Sequence, residues 1–170
     1  LSKVGHHRPT TRNVVVLSQA KKDADPLSEQ LGRENVVFRS SHAAKTLEHV
    51  LLIDTPDTDS SEQETHIPVV QKAIALSDIL ICVFDSENPK RRDHIDFLAS
   101  YVRLFGGDSL VVVINKCDRQ DEDELKEKIV PEFKTFIRAA WERPVQTVLC
   151  ISARRNLSNP EWDLSVGPKH

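Results

Sequence analysis

Three short polar clusters carry residue types from which a ligand site can be built: Asp54-Thr55-Pro56-Asp57, Asn115-Lys116-Cys117-Asp118 and Ser152-Ala153-Arg154. Each follows directly on an apolar run, namely Leu51-Leu52-Ile53, Leu110 to Ile114, and Leu149-Cys150-Ile151. In an open α/β sheet ligands bind beyond the carboxyl ends of the strands, so these are the places to look for chemistry. A carboxylate such as Asp118 can accept two parallel hydrogen bonds from a ring N–H and an exocyclic amine. Guanine offers that donor pair on one edge and adenine does not. Asn115 can tie neighbouring loops together by its amide, and the stem of Lys116 can lie along a base plane while its ammonium stays solvated. Asp54, at the end of a buried strand, can hold a water on Mg²⁺, a hard cation that keeps much of its hydration.

Placing these clusters together requires a sheet, and the apolar pattern supplies one. Short β-branched runs lie at Asn13 to Leu17, Asn35 to Phe38, His49 to Ile53, Ile79 to Phe84, Leu110 to Ile114 and Thr147 to Ile151. Stretches of helical periodicity separate them, which is the βαβ signature. The last four runs do not alternate apolar with polar, so they are expected to be parallel strands covered on both faces. Crossover helices are predicted from Val70, Ala73, Ile74 and Ser77, from Ile95, Leu98, Val102 and Phe105, and from Leu125, Ile129, Phe133 and Ile137. Asp121 with Glu124 has the form of a capping box for the last of these, and Pro131 is expected to begin a second helical segment. Gln19 to Arg33 is polar and reads as a long surface connection, and Arg154 to His170 reads as irregular.

The order and spacing of the three clusters resemble the third, fourth and fifth nucleotide motifs of P-loop GTPases, D-x-x-G, N-K-x-D and S-A-K. Upstream, Pro9-Thr10-Thr11-Arg12-Asn13 resembles the switch I motif of Era-like and TrmE-like GTPases. Asp54 to Ser60 is similar to the bacterial dynamin-like and Era-like pattern, with D-T-P-D in place of D-T-P-G. The resemblance runs from Pro9 to about Arg154. It implies a three-layer α/β fold of the P-loop NTPase class, a Ras-like G domain with a mostly parallel sheet over residues 1–154, followed by an irregular segment 155–170. It implies binding of GTP and GDP with Mg²⁺. Guanine would be held by Asn115, Lys116, Asp118, Ser152 and the backbone N–H of Ala153, which reaches the guanine carbonyl oxygen. Thr11, with Thr10 as second candidate, would ligate Mg²⁺ and sense the γ-phosphate. Asp57 would stand at the phosphate end of switch II, and Asp54 would hold Mg²⁺ through water. The implied activity is GTP hydrolysis driving a conformational switch, with a second G domain or an effector protein as partner. The alternative is a non-hydrolysing, degenerate G domain that acts as a nucleotide sensor or scaffold.

The chain departs from that family at named positions. A G-x-x-x-x-G-K-[ST] loop cradles phosphates with its backbone N–H groups. None of Gly5, Gly32, Gly106, Gly107 and Gly167 is followed by lysine. In the family that loop, the first strand and the first helix precede switch I, and the first strand lies between those ending at Asp54 and Asp85. Its absence from the sheet would leave two unpaired strand edges. The chain begins at Leu1 and contains no methionine, so it reads as an excerpt of something longer. Asp57 replaces the switch II glycine and Thr58 stands where Ras-like proteins place the water-orienting glutamine, so no catalytic residue is assigned. Arg154 in place of the lysine of S-A-K is milder, because the contact there comes from the preceding backbone.

Composition narrows the partners. The 170 residues carry 23 Lys plus Arg against 26 Asp plus Glu, a net charge of -3, which gives no electrostatic case for nucleic acid or an anionic membrane. The longest apolar runs fall far short of the roughly 18 residues that span a bilayer. Cys82, Cys117 and Cys150 form no C-x-x-C pair, which argues against a disulfide framework and a zinc site and for a reducing cytoplasm. Cys117 occupies the variable position of its motif and Cys82 lies inside an apolar run, so neither reads as a nucleophile. His6, His7, His42, His49 and His66 lack zinc spacing.

Overall fold

A computed structural model describes residues 13–41, 45–56 and 63–162, with the backbone alone at 63–66. The chain comprises two compact units, Leu1–Ser77 and Asp78–His170.

In the first unit the valine-rich run forms β1 (Val14–Ser18), which is followed by α1 (Lys21–Leu31), β2 (Val36–Ser40), β3 (Leu52–Asp54) and α2 (Gln63–Ala75). The sheet order is β2-β1-β3, with β1 parallel to β2 and antiparallel to β3. Residues 19–33 are therefore not a surface connection. A parallel pair needs a crossover, and α1 supplies it. Its apolar residues Ala24, Leu27 and Leu31 fall at i, i+3 and i+7 and are buried with Val14, Val16 and Ala73. Gly32 ends the helix at φ 86, a conformation that disfavours a side chain. A Cβ added there would also lie 2.6 Å from the Glu34 carboxylate.

The second unit holds β4 (Leu80–Asp85), α3 (Arg92–Val102), β5 (Leu110–Asn115), α4 (Glu122–Glu124), α5 (Val130–Trp141), β6 (Thr147–Cys150) and α6 (Ala153–Ser158). Its sheet, ordered β4-β5-β6, is wholly parallel. The helical stripes bury as expected: Ile95, Leu98 and Val102 from α3 meet Phe133, Ile137 and Trp141 from α5 over one sheet face. The Phe84 ring stands 4.9 Å from the Phe133 ring in an edge-on arrangement, and Trp141 Nε1 donates to the Ile95 carbonyl at 3.0 Å. Asp121 caps α4, its carboxylate accepting the N–H groups of Asp123 and Glu124 at 3.0 Å each. The Glu124 carboxylate turns instead to Lys128 at 3.4 Å. Between α4 and α5 the helix widens into a π turn, Leu125–Ile129, just before Pro131, whose missing N–H is least costly in the first turn of α5.

Of the four runs expected to be covered on both faces, β5 alone is, with Val112, Val113 and Ile114 all buried. On β4, Ile81 and Val83 are each 49% exposed, and Leu149 on β6 is 48% exposed. Val83, Val113 and Leu149 are register partners and so share one sheet face, opposite the face on which Phe84 meets α5. The continuous apolar runs signalled helices on both faces, and the described helices α3 and α5 pack on one. β3 differs as well: it is antiparallel, exposed at Leu52, and starts after His49 turns the chain at φ 62. Among the described residues β3 pairs with β1 alone and β4 with β5 alone. Past β6 the chain is more ordered than its composition suggests. α6 forms on Ser152 as N-cap, and Trp162 is buried with its carbonyl accepting from Asn156 at 2.8 Å. Among the described residues no helix is long and apolar enough to cross a membrane.

Candidate functional site

β5 and β6 are neighbouring parallel strands, so their carboxyl ends deliver Asn115 and Ser152 side by side. The pairing continues beyond the strands: Ile151 N–H donates to the Ile114 carbonyl at 2.9 Å, and Cys117 N–H donates to the Ile151 carbonyl at 3.1 Å. Lys116 then reverses the chain at φ 64 and ψ 28, which opens the turn Cys117–Arg119. The Asn115 side-chain oxygen accepts the Lys116 N–H at 2.8 Å and the Ala153 N–H at 2.9 Å. One amide thus ties the two loops together. Ser152 is buried and caps α6, its hydroxyl accepting the Arg155 N–H at 3.2 Å.

The Asp118 carboxylate is only 13% exposed and forms an ion pair with the Arg155 guanidinium at 3.5 Å. All five residues expected to contact guanine are therefore brought to one place. In this arrangement the Ala153 N–H is held by Asn115 and the Asp118 carboxylate by Arg155. A base entering here has to exchange with both.

A third strand end joins them, and the sequence reading passed over it. Ser86, buried after β4, donates its N–H to the Asn115 carbonyl and its hydroxyl to the Lys116 carbonyl, both at 2.9 Å. The Lys116 ammonium pairs with the Asp85 carboxylate and lies 4.0 Å from Glu87, which also takes Arg119 at 2.8 Å. Asp85, Ser86, Glu87, Arg119 and Arg155 were the missed members. The signal was present for Asp85 and Ser86, since they end an apolar run as the recognised clusters do.

Partial burial pushes the Asp85 carboxyl up, but the Lys116 hydrogen bond, the Glu87 N–H and the charges of Lys116 and Arg119 together hold it below the ordinary carboxylate value. A depressed carboxyl stabilises the fold above its unfolded pKa of about 4, and that contribution is lost as pH falls through the lower folded value. Urea midpoints of wild type and Asp85→Asn should therefore differ at neutral pH and converge at acid pH. A constant difference across that range would contradict the tether.

Asp54 ends β3 in the first unit and is exposed. Thr10, Thr11, Asp57 and Thr58 lie outside the described residues. Among the described residues no group of three His, Cys, Asp or Glu side chains could hold a metal ion. Asp54 alone does not make a Mg²⁺ site, which takes carboxylates together with substrate phosphates. The described residues thus gather a mostly buried carboxylate and backbone N–H groups at the ends of β5 and β6. No protein-family profile matches the chain, and no curated protein sequence matches it.

Proposed function

We propose that this chain is part of a GTP-binding domain of the P-loop GTPase class, on the Era-like or bacterial dynamin-like branch, and that it recognises the guanine base through the loops after β5 and β6. The observation that carries the reading is the amide of Asn115 joining the Lys116 and Ala153 N–H groups beside the mostly buried Asp118 carboxylate. Guanine would displace Arg155, its ring N–H and exocyclic amine donating to Asp118. Its carbonyl oxygen would take the Ala153 N–H from Asn115. Lys116, tethered by Asp85, would lay its stem along the base.

Hydrolysis of GTP, driving a conformational change in the protein, is the activity proposed with this class. Mg²⁺ would neutralise phosphate charge there, with Thr11 and Asp54 as the residues named for it, and a second G domain or an effector as partner. Of these two residues, Asp54 alone lies among the described residues. A non-hydrolysing nucleotide sensor is the second reading. Release of phosphate from GTP, dependent on Mg²⁺, separates the two.

Binding by these 170 residues should be weak, since the motifs present hold the base while a phosphate cradle supplies much of such a site's affinity. Equilibrium dialysis should show GTP and GDP retained and ATP not. Equal retention of ATP would defeat the reading, and submicromolar GTP affinity would show that another segment replaces the phosphate loop. Because Arg155 competes for Asp118, Arg155→Ala should raise GTP affinity about two- to fivefold, the value of a partly exposed ion pair of up to about 1 kcal/mol. A fall in affinity would make Arg155 a contact rather than a competitor.

A further inference from the structure

Cys117 and Cys150 are separated along the sequence and carry no pairing signal there. In the second unit they meet. Cys150 is the register partner of Ile114, and the Ile114 carbonyl accepts the Cys117 thiol at 3.2 Å. The Cys117 N–H donates to the Ile151 carbonyl at 3.1 Å, so the two main chains are one hydrogen bond apart where the cysteines sit. The Ile114 carbonyl also accepts the Ile151 N–H at 2.9 Å, so the Cys117 thiol and the peptide that follows Cys150 converge on one oxygen. Disulfides span Cα separations of about 4.4 to 6.8 Å, and neighbouring strands stand about 4.8 Å apart. Closing a bridge here asks the Cys117 sulfur to leave the Ile114 carbonyl for Cys150 on the adjoining strand.

The two thiols differ in a useful way. Cys150 is partly exposed, whereas Cys117 is fully buried. The neighbouring Cys117 favours the Cys150 thiolate, burial opposes it, the Lys134 charge supports it, and the net effect holds Cys150 below the ordinary thiol value. The neighbouring Cys150 and burial push the Cys117 thiol up. Cys82 is buried in β4 and pushed up to about 12 by desolvation.

We propose that Cys117 and Cys150 form a reversible disulfide site for hydroperoxides, with Cys150 as the attacking sulfur and Cys117 as the resolving one. The Cys150 thiolate attacks one oxygen of hydrogen peroxide. The S–O bond forms, the O–O bond breaks, and hydroxide leaves and takes up the released proton as water. The Cys117 sulfur then attacks the Cys150 sulfur of the sulfenic acid. The S–S bond forms, the S–O bond breaks, and hydroxide leaves with the Cys117 proton as a second water. Two thiols thereby give two electrons to the peroxide, and a dithiol reductant reverses the change.

The bridge would act on the loop above it. Cys117 lies between Lys116 and Asp118, so drawing its sulfur from the Ile114 carbonyl onto Cys150 moves the Asp118 carboxylate. This consequence rests on the guanine reading; the bridge itself does not.

The test treats the full chain with hydrogen peroxide, quenches it with an alkylating agent, and maps the tryptic fragments by mass. The expected product is a monomer in which the fragment Cys117–Arg119 is joined to the one carrying Cys150, while Cys82 remains alkylatable. Dithiothreitol should restore both thiols. Cys150→Ala and Cys117→Ala should each abolish the bridge, and Cys82→Ala should leave it unchanged. Should the buried Cys117 variant fail to fold, the partly exposed Cys150 variant still decides. A bridge that includes Cys82, crosslinked dimers alone, or sulfinic oxidation without a bridge would overturn the proposal. In the second arm, oxidation should remove binding of a fluorescent GTP analogue and dithiothreitol should restore it. Unchanged binding after bridging would overturn the coupling to the loop. No binding by the reduced protein would instead fault the guanine reading, with the fragment map still deciding the disulfide.

Discussion

In the complete domain, with its phosphate cradle, Asp118→Asn is expected to weaken GTP binding several hundredfold and to turn the site toward xanthine nucleotides. The carboxylate is mostly buried and presents its oxygens at the junction of the two loops. Each hydrogen bond to a charged acceptor is worth about 1.5–3 kcal/mol, and the amide both removes the charge and offers a donor where guanine presents donors. Losing most of one bond and part of the other, about 3–4 kcal/mol, corresponds to several hundredfold in affinity. Xanthine carries a carbonyl where guanine carries its amine, so the same amide donor becomes a match. Titrations with GTP and XTP check both halves. Unchanged GTP affinity in the variant would remove Asp118 from the site.

The second large effect concerns the scaffold. Trp141 is 1% exposed, its ring lies 6.3 Å from Phe84 and its indole N–H reaches the Ile95 carbonyl. It therefore joins β4, α3 and α5. Trp141→Ala should cost about 3–5 kcal/mol, as truncation of a large core aromatic does, and that is a large share of a domain's total stability. The urea midpoint should fall steeply, and the loops after β5 and β6 should lose their support at lower denaturant than in wild type. Leu157, 82% exposed, serves as the control, where alanine should change stability by less than about 0.5 kcal/mol. A loss under about 1 kcal/mol at Trp141 would contradict its place at the centre of this core.

Much of the second unit could be read from residue pattern. The runs ending at Phe84, Ile114 and Ile151 became its three strands, each end within one residue, and the spacing of Ile95, Leu98 and Val102 declared a helix face. Asn115, Lys116, Asp118, Ser152 and Ala153 were legible because each stands directly after such a run, where a parallel sheet places its ligand groups. The first unit was harder. α1 is rich in lysine and aspartate and contains Pro26, so its three buried residues were outweighed by its polar ones. The direction of β3 was misread because an apolar run reports burial, not orientation, and the turn at His49 is set by backbone conformation. The Arg155 to Asp118 pair and the meeting of Cys117 with Cys150 depend on how β6 and α6 lie against the loop after β5. Sequence spacing holds no record of such tertiary juxtapositions.

The central claim is that the loops after β5 and β6 read a guanine base, and backbone amide NMR of the isotope-labelled chain tests it most directly. Titration with GTP, GDP and ATP should produce saturable shifts at Lys116, Asp118 and Ala153 with both guanine nucleotides. With ATP the same amides should stay in place. Shifts of equal size with ATP, or guanine-dependent shifts confined to residues away from these loops, would contradict the account.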